Sequence, residues 1–260
     1  RRFTALTLLM LVGCATAPTP TTPPNDKELS RTRNLARAAF EDGATTKAID
    51  LYTKALNRAL VMDDATEIGN AAYNLALCHI ILGQLDQASA SLAEAKAAFA
   101  RSGENPADVL LLEATVAQRQ GRLEQALLLA DQVLSASPDE SHRFQVALLK
   151  GTVACGQDDP ARARTALVEA DQHHVANVPL LAASERLAGN IFLLESNPAE
   201  AAAAFDRAAV LFQEAKHYRD MAITLQRAGQ AYQEAGDTQR AEDRLFRATR
   251  SLAAQGEKAE

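Results

Sequence analysis

Residues 178–215, VPLLAASERLAGNIFLLESNPAEAAAAFDRAAVLFQEA, hold two helical stretches separated by one break. The first runs from about Val178 to Glu195, and Asn197-Pro198 opens the second, which continues to about Ala215. Asn is a good N-cap, Pro suits the first helical position, and Glu200 stands where a capping box wants a carboxylate. Ala201, Phe205 and Ala208 fall at i, i+4 and i+7 and form one continuous face. Gly189 in the first stretch gives that face room, because a small residue lets helix backbones approach while Phe192 and Phe205 fill the gaps beside it.

The same small-residue face returns along the whole chain. Ala48, Ala88, Ala126, Ala163, Ala201 and Ala241 are spaced 37 to 40 residues apart. Seven residues after each stands Ala55, Ala95, Val133, Ala170, Ala208 or Ala248, and twelve before each stands Ala36, Ala76, Ala114, Gly151, Gly189 or Gly229. Gly43, Gly83, Gly121 and Gly236 mark the turn between paired helices, with Asp158 and Ser196 at the matching position of the other two units. Asn105-Pro106 with Asp108, and Ser137-Pro138 with Glu140, repeat the start signal at the heads of units three and four. A fixed period of this length with two helices per unit predicts an all-α, stacked helical solenoid of six helix-turn-helix repeats over residues 28–255, with 256–260 as a tail.

The sequence opens Arg1-Arg2 and runs apolar from Phe3 to Val12, too short to span a bilayer, so residues 1–13 read as a signal peptide. Residues 14–27, with the Thr/Pro stretch Thr16 to Pro24, read as a linker, extended at roughly 3.1 Å per residue. Without Arg1 and Arg2 the formal charge goes from −6 to −8, which disfavours nucleic acid and anionic lipid heads as partners. The absence of Trp argues against base-stacking platforms. Cys78 and Cys155 lie a whole repeat apart, beyond disulfide reach, and read as small buried hydrophobes. No nucleophile elbow, phosphate loop or metal-ligand spacing is present, His173-His174 included, which points away from an enzyme and from any metal or cofactor.

Small residue, Gly at +7, Ala at +12, aromatic or Leu at +16 and Ala at +19 resembles the tetratricopeptide repeat, with a longer period than the family's ~34 residues. The resemblance implies a right-handed α-solenoid whose first helices line a concave, partner-binding groove. In register, that groove takes Arg33, Arg37, Tyr73, Leu77, Ile80, Leu111, Leu148, Arg186, Asn190 and Gln230, among others, and suits an extended or helical peptide with an apolar middle. Arg186 with Asn190 resembles the start of the carboxylate clamp of some of these repeats, although Arg227 stands where the clamp has Asn. Arg33, Arg37 and Asn74 make a second partial match, disturbed by Asp108. Arg240, Arg244 and Arg247 on the last helix read as an exposed polar face capping the solenoid's end.

Leu11-Val12-Gly13-Cys14 resembles the lipobox of bacterial lipoproteins, which implies acylation (palmitate-type chains) at Cys14. Ala15, rather than Asp, then implies outer-membrane sorting, with the solenoid facing the periplasm. Together these expectations describe a lipid-anchored protein-binding scaffold resembling, in architecture, the pilotins of envelope machines. The alternatives are a carrier of a small apolar ligand in the groove and a self-associating structural protein of the envelope.

Overall fold

The computed structural model describes residues 26–137 and 139–255. The expected signal peptide, acylated Cys14, most of the linker, Pro138 and the tail from 256 lie outside the described residues. Among the described residues twelve helices form six pairs: α1 (Lys27–Glu41) with α2 (Thr45–Met62), α3 (Ala65–Ile81) with α4 (Leu85–Ser102), α5 (Ala107–Arg119) with α6 (Leu123–Ala136), α7 (Glu140–Gly156) with α8 (Pro160–Asp171), α9 (Val178–Leu194) with α10 (Pro198–Glu214), and α11 (Tyr218–Glu234) with α12 (Thr238–Ala254). Among the described residues there is no strand, and no helix is long and apolar enough to cross a membrane.

Each pair is joined by three residues, and the middle one always has positive φ. A chain that reverses this tightly needs a left-handed residue at its centre. Gly43, Gly83, Gly121 and Gly236 adopt that conformation without a Cβ clash, whereas Asp158 and Ser196 are held there at φ 54° and 60°. The next amide then closes back on the helix five residues earlier, as in Ala44 N to Ala39 O at 2.8 Å and Asn197 N to Phe192 O at 2.8 Å. Ser196→Gly is accordingly expected to raise stability by about 0.5–1 kcal/mol, the left-handed penalty less the entropy glycine loses. A urea titration checks it, and a lower midpoint would contradict the turn's role.

Helix starts depart from the sequence expectation. Asn197 precedes Pro198 as expected, but its side chain makes no capping bond. Asn105 Oδ1 accepts from Ala107 N at 2.9 Å, with the helix beginning one residue beyond Pro106. In unit four the cap is Asp139, which accepts from His142 N at 2.8 Å and from the Ser137 hydroxyl. The first helix starts at Lys27, capped by Asp26, one residue before the start at 28 that the sequence suggested. Aspartates also cap α3, α8 and α12, each a carboxylate at the positive end of a helix dipole.

All six rungs of the alanine ladder are buried, and Ala48, Ala88, Ala126, Ala163 and Ala201 are completely so. Where the facing position is glycine the approach is closest. A Cβ on Gly189 would stand 2.6 Å from Phe205 Cε1, and one on Gly151 would stand 2.5 Å from Leu187 Cδ2. Neighbouring first helices touch one another, α5 with α7 and α7 with α9, while no two second helices pack extensively. First helices therefore form the inner layer and second helices the outer one, as a curved stack requires.

Candidate functional site

The inner layer carries a convergence of arginines that register alone does not show. Arg119, at the end of α5, donates from Nη1 to Ile80 O at 3.0 Å. Arg219, in the first turn of α11, donates from Nη1 to Ile81 O at 2.6 Å, across 138 residues of sequence. The last carbonyls of α3 sit at the negative end of its dipole and are natural acceptors for guanidinium groups. Unit six thereby reaches back over the groove to unit two.

Arg186, Asn190 and Arg227 meet in the same region. Arg186 Nη1 lies 3.5 Å from Asp220 Oδ1, and Arg227 Nη2 donates to Asn190 Oδ1 at 2.8 Å. Arg186 is stacked 5.3 Å above the Phe212 ring and Arg227 5.5 Å above Phe205, so both planes are oriented from below. Burial first, and then the positive charge of Arg186, lowers the pKa of both Arg119 and Arg227. Asn190, one turn after Arg186, is thus taken by Arg227, the residue that departs from the clamp pattern, and Asp220 stands beside Arg186.

The other expected groove residues have separate settings. Arg33 is paired with Glu67 of α3, and Arg37 with Glu41 one turn on at 3.7 Å. Asn74 donates back to Asn70 O at 2.7 Å. Tyr73 is half-buried, its phenol pushed up to about 12 by burial and the Asp108 charge. Leu77 is half-buried and Gln230 exposed. Ile80, Leu111 and Leu148, placed in the groove by register, are core residues with at most 8% of their surface accessible. They share core clusters with the next unit, Ile80 with Val109 and Val116, Leu111 with Val146 and Leu149, and Leu148 with Leu187 and Ile191.

Arg119 and Arg219 were missed because they lie outside the register positions, and only the superhelical path brings them in. His142 was missed for a similar reason. Its Nδ1 is 2.7 Å from Asp139 Oδ2 and its Nε2 is 3.0 Å from Asp108 Oδ1, so it bridges units three and four. His173 Nδ1 is 2.6 Å from Glu140 Oε2, a contact within unit four that ties the end of α8 to the start of α7. Burial pulls the His142 pKa down, but the hydrogen bonds and charges of Asp139 and Asp108 outweigh it and the net shift is upward. Asp139 is held well below the usual carboxylate range, chiefly by the His142 backbone amide and then by its ring and Ser137.

A raised folded-state pKa means that the stabilisation is complete below the unfolded value, near 6.5, and is lost as pH rises through the folded value. The stability gap between wild type and His142→Gln is therefore expected to shrink as pH rises from below 6.5 through the folded-state value. A gap that is flat over this range, measured by chemical denaturation, would rule out an imidazolium bridge.

The last helix corrects one expectation. Arg244 is not an exposed end charge: its Nε and Nη2 meet Asp206 Oδ1 and Oδ2 at 2.7 and 3.0 Å, and Tyr232 Oη donates to Asp206 at 2.9 Å. Such a fork ties α12 to α10. Cys78 is fully buried and Cys155 half-buried, and both are free thiols, as the sequence suggested. Burial pushes them up to about 12 and about 11, where a thiol stays protonated and unreactive. Among the described residues no three His, Cys, Asp or Glu side chains are placed to hold a metal ion.

No family model matches the chain and no curated protein sequence matches it. Solved structures do resemble it. The Rap conjugation gene regulator of the plasmid pLS20, in complex with the Phr* peptide, aligns at 16% identity and TM-score 0.69, covering 90% of this chain and 65% of that one. PilW, a type IV pilus biogenesis factor, aligns at 16% identity and TM-score 0.57, covering 88% of this chain and 94% of that one. A signal transduction ATPase with a tetratricopeptide repeat sensor, from Pyrococcus horikoshii, aligns at 15% identity and TM-score 0.55 over 88% of this chain and 39% of that one. Identities this low speak to fold alone, and the fold of this chain is that of the tetratricopeptide-repeat solenoids.

Proposed function

We propose that this chain is a non-catalytic adaptor that binds a protein or peptide partner in the groove of its inner layer. The observation that carries the reading is the inner layer itself, where Arg186, Asn190 and Arg227 are drawn together above a shelf of phenylalanine rings. Such a surface offers oriented donors, and the inner layer also carries the half-buried Tyr73 and Leu77, a mixture suited to an extended segment. The peptide carried by the Rap neighbour fits this reading.

The adaptor stands at the outer membrane, facing the periplasm, held by acyl chains on Cys14. The lipobox-like Leu11 to Cys14 supports this, and more than one acyl chain exceeds the two-signal threshold for stable anchoring. The likeness to PilW supports a pilotin-like part in assembling an envelope machine.

One experiment tests both halves. Full-length protein is captured from detergent-solubilised envelopes and its co-purifying proteins are identified. Leu77→Asp, with an unchanged helical circular dichroism spectrum, is expected to lose the partner, while Val168→Asp on the outer layer keeps it. Cys14→Ser is expected to leave an unacylated chain in the soluble fraction. Loss of the partner with Val168→Asp alone would move binding off the groove, and a wild-type chain without acyl mass would remove the anchor.

A further inference from the structure

We infer that His142 is a proton-operated clasp between units three and four: as imidazolium it pins the start of α7 to the start of α5, and as neutral imidazole it lets the two part.

The geometry by itself calls for the charged ring. Nδ1 lies 2.7 Å from Asp139 Oδ2 and Nε2 lies 3.0 Å from Asp108 Oδ1. Ionised carboxylates only accept, so both nitrogens have to donate, and only the imidazolium carries two N–H groups. A neutral ring keeps one of these bonds and turns a bare lone pair toward the other carboxylate.

Which bond survives follows from how each carboxylate is held. Asp139 is the N-cap of α7, its Oδ1 accepting from the His142 amide and its Oδ2 from the Ser137 hydroxyl, each at 2.8 Å. It cannot turn away without undoing the cap. Asp108 is 70% exposed, and among the described residues its one hydrogen bond is to His142. Water takes that carboxylate at little cost. Deprotonation therefore leaves a proton on Nδ1, facing Asp139, and breaks the bond to Asp108. The surviving bond stays at the start of α7, and the broken one is the link between units.

The other charged groups at this joint do not replace it. Glu140 of α7 faces His173 at 2.6 Å and Arg143 at 3.8 Å, all within unit four. Lys150, two turns further along α7, meets Asp131 of α6 at 3.3 Å. That pair, with Leu111 packed in one core with Val146 and Leu149, keeps the units joined and serves as the pivot. Opening the clasp is thus a change of angle. Because α5 and α7 are neighbouring first helices, parting their starts alters the curvature of the inner layer. The Asp108 charge also acts on Tyr73 of α3, and without the imidazolium it acts there unopposed, so a groove residue feels the same proton. The clasp works whatever segment the groove takes, and its failure would leave the adaptor reading untouched.

The test uses the full chain with Cys14→Ser, Cys78→Ala and Cys155→Ala, spin-labelled at Glu94→Cys and Glu169→Cys, two exposed sites on α4 and α8. Imidazole nitrogen NMR shifts, assigned by their loss in His142→Gln, and the label-to-label distance from pulsed EPR are followed over one pH series. Below pH 6.5 both His142 nitrogens are expected to be protonated, with a single label distance. As the ring titrates, Nε2 alone should lose its proton and the distance should shift along the same curve. Asp108→Ala should show the high-pH distance throughout, and His142→Gln should lose the pH dependence. His173→Gln, which removes the neighbouring contact to Glu140, should keep it.

Loss of the proton from Nδ1 instead, a distance that stays fixed while His142 titrates, a shift retained in Asp108→Ala, or one abolished by His173→Gln would each overturn the inference. The first two readings need only the labelled parent, so a variant that fails to fold leaves the test intact.

Discussion

Phe205→Ala is expected to cost about 3–5 kcal/mol, the range for removing a large aromatic from a core that cannot collapse around the space. The side chain has no accessible surface, and its ring fills the gap that Gly189 leaves between α9 and α10. A solenoid unit is supported only by its neighbours, so the loss should appear as early melting of units five and six rather than as a uniform shift. For a domain of this size the calorimetric midpoint should fall on the order of 10 °C. Phe246→Ala supplies the comparison: that ring is 66% exposed on α12, and its removal should change stability by less than about 0.5 kcal/mol. Equal midpoints for the two variants would contradict the packing described. The same truncation of Phe205 removes the ring beneath Arg227, so weaker capture of the partner should accompany the lost stability.

Gly189→Ala sets two effects against each other. Alanine in place of glycine within a helix gains about 1 kcal/mol of propensity. Its Cβ, however, would lie 2.6 to 2.8 Å from three carbons of the Phe205 ring. That ring is fully buried and has nowhere to turn, and overpacking of this kind costs about 1–3 kcal/mol. The clash should win, giving a net loss of about 1–2 kcal/mol. Gly156, the last residue of α7, has open space where a Cβ would go, so Gly156→Ala should gain about 0.5–1 kcal/mol. Opposite signs for the two variants in urea denaturation are the expected result. A Gly189→Ala protein as stable as its parent would mean that α9 and α10 do not approach so closely.

Binding and stability are coupled through these residues. Phe205 and Phe212 belong to the core of unit five and also carry the stacked guanidinium groups of the groove. A core change in units five or six is therefore expected to alter the site, whereas a change of similar size in unit one should not reach it.

The pairing of helices, the three-residue turns and the buried ladder were all legible in the sequence. Each depends on interactions within about 40 residues, and each recurs six times, so small residues at fixed spacing report the contact they make. Even Asp158 and Ser196 could be placed at their left-handed turns by alignment with the four glycines. Helix caps were less legible: Asn197 has the right neighbours but makes no side-chain bond, whereas Asp159 and Asp237, at the matching turn position, do.

The part of the arginine cluster made by Arg119 and Arg219 belonged to the tertiary structure alone. Arg186, Asn190 and Arg227 lie in adjacent units, where a fixed period carries over from one unit to the next, and register found them. Ile80, Leu111 and Leu148 also stand at register positions yet are buried, because each shares a core cluster with residues of the next unit. Arg219 meets Ile81 only because that small rotation accumulates over four units until the stack turns back on itself. Local periodicity determines which helices pair and which faces they bury. The summed angle between pairs determines what lies across the groove, and that sum depends on the packing of every intervening side chain.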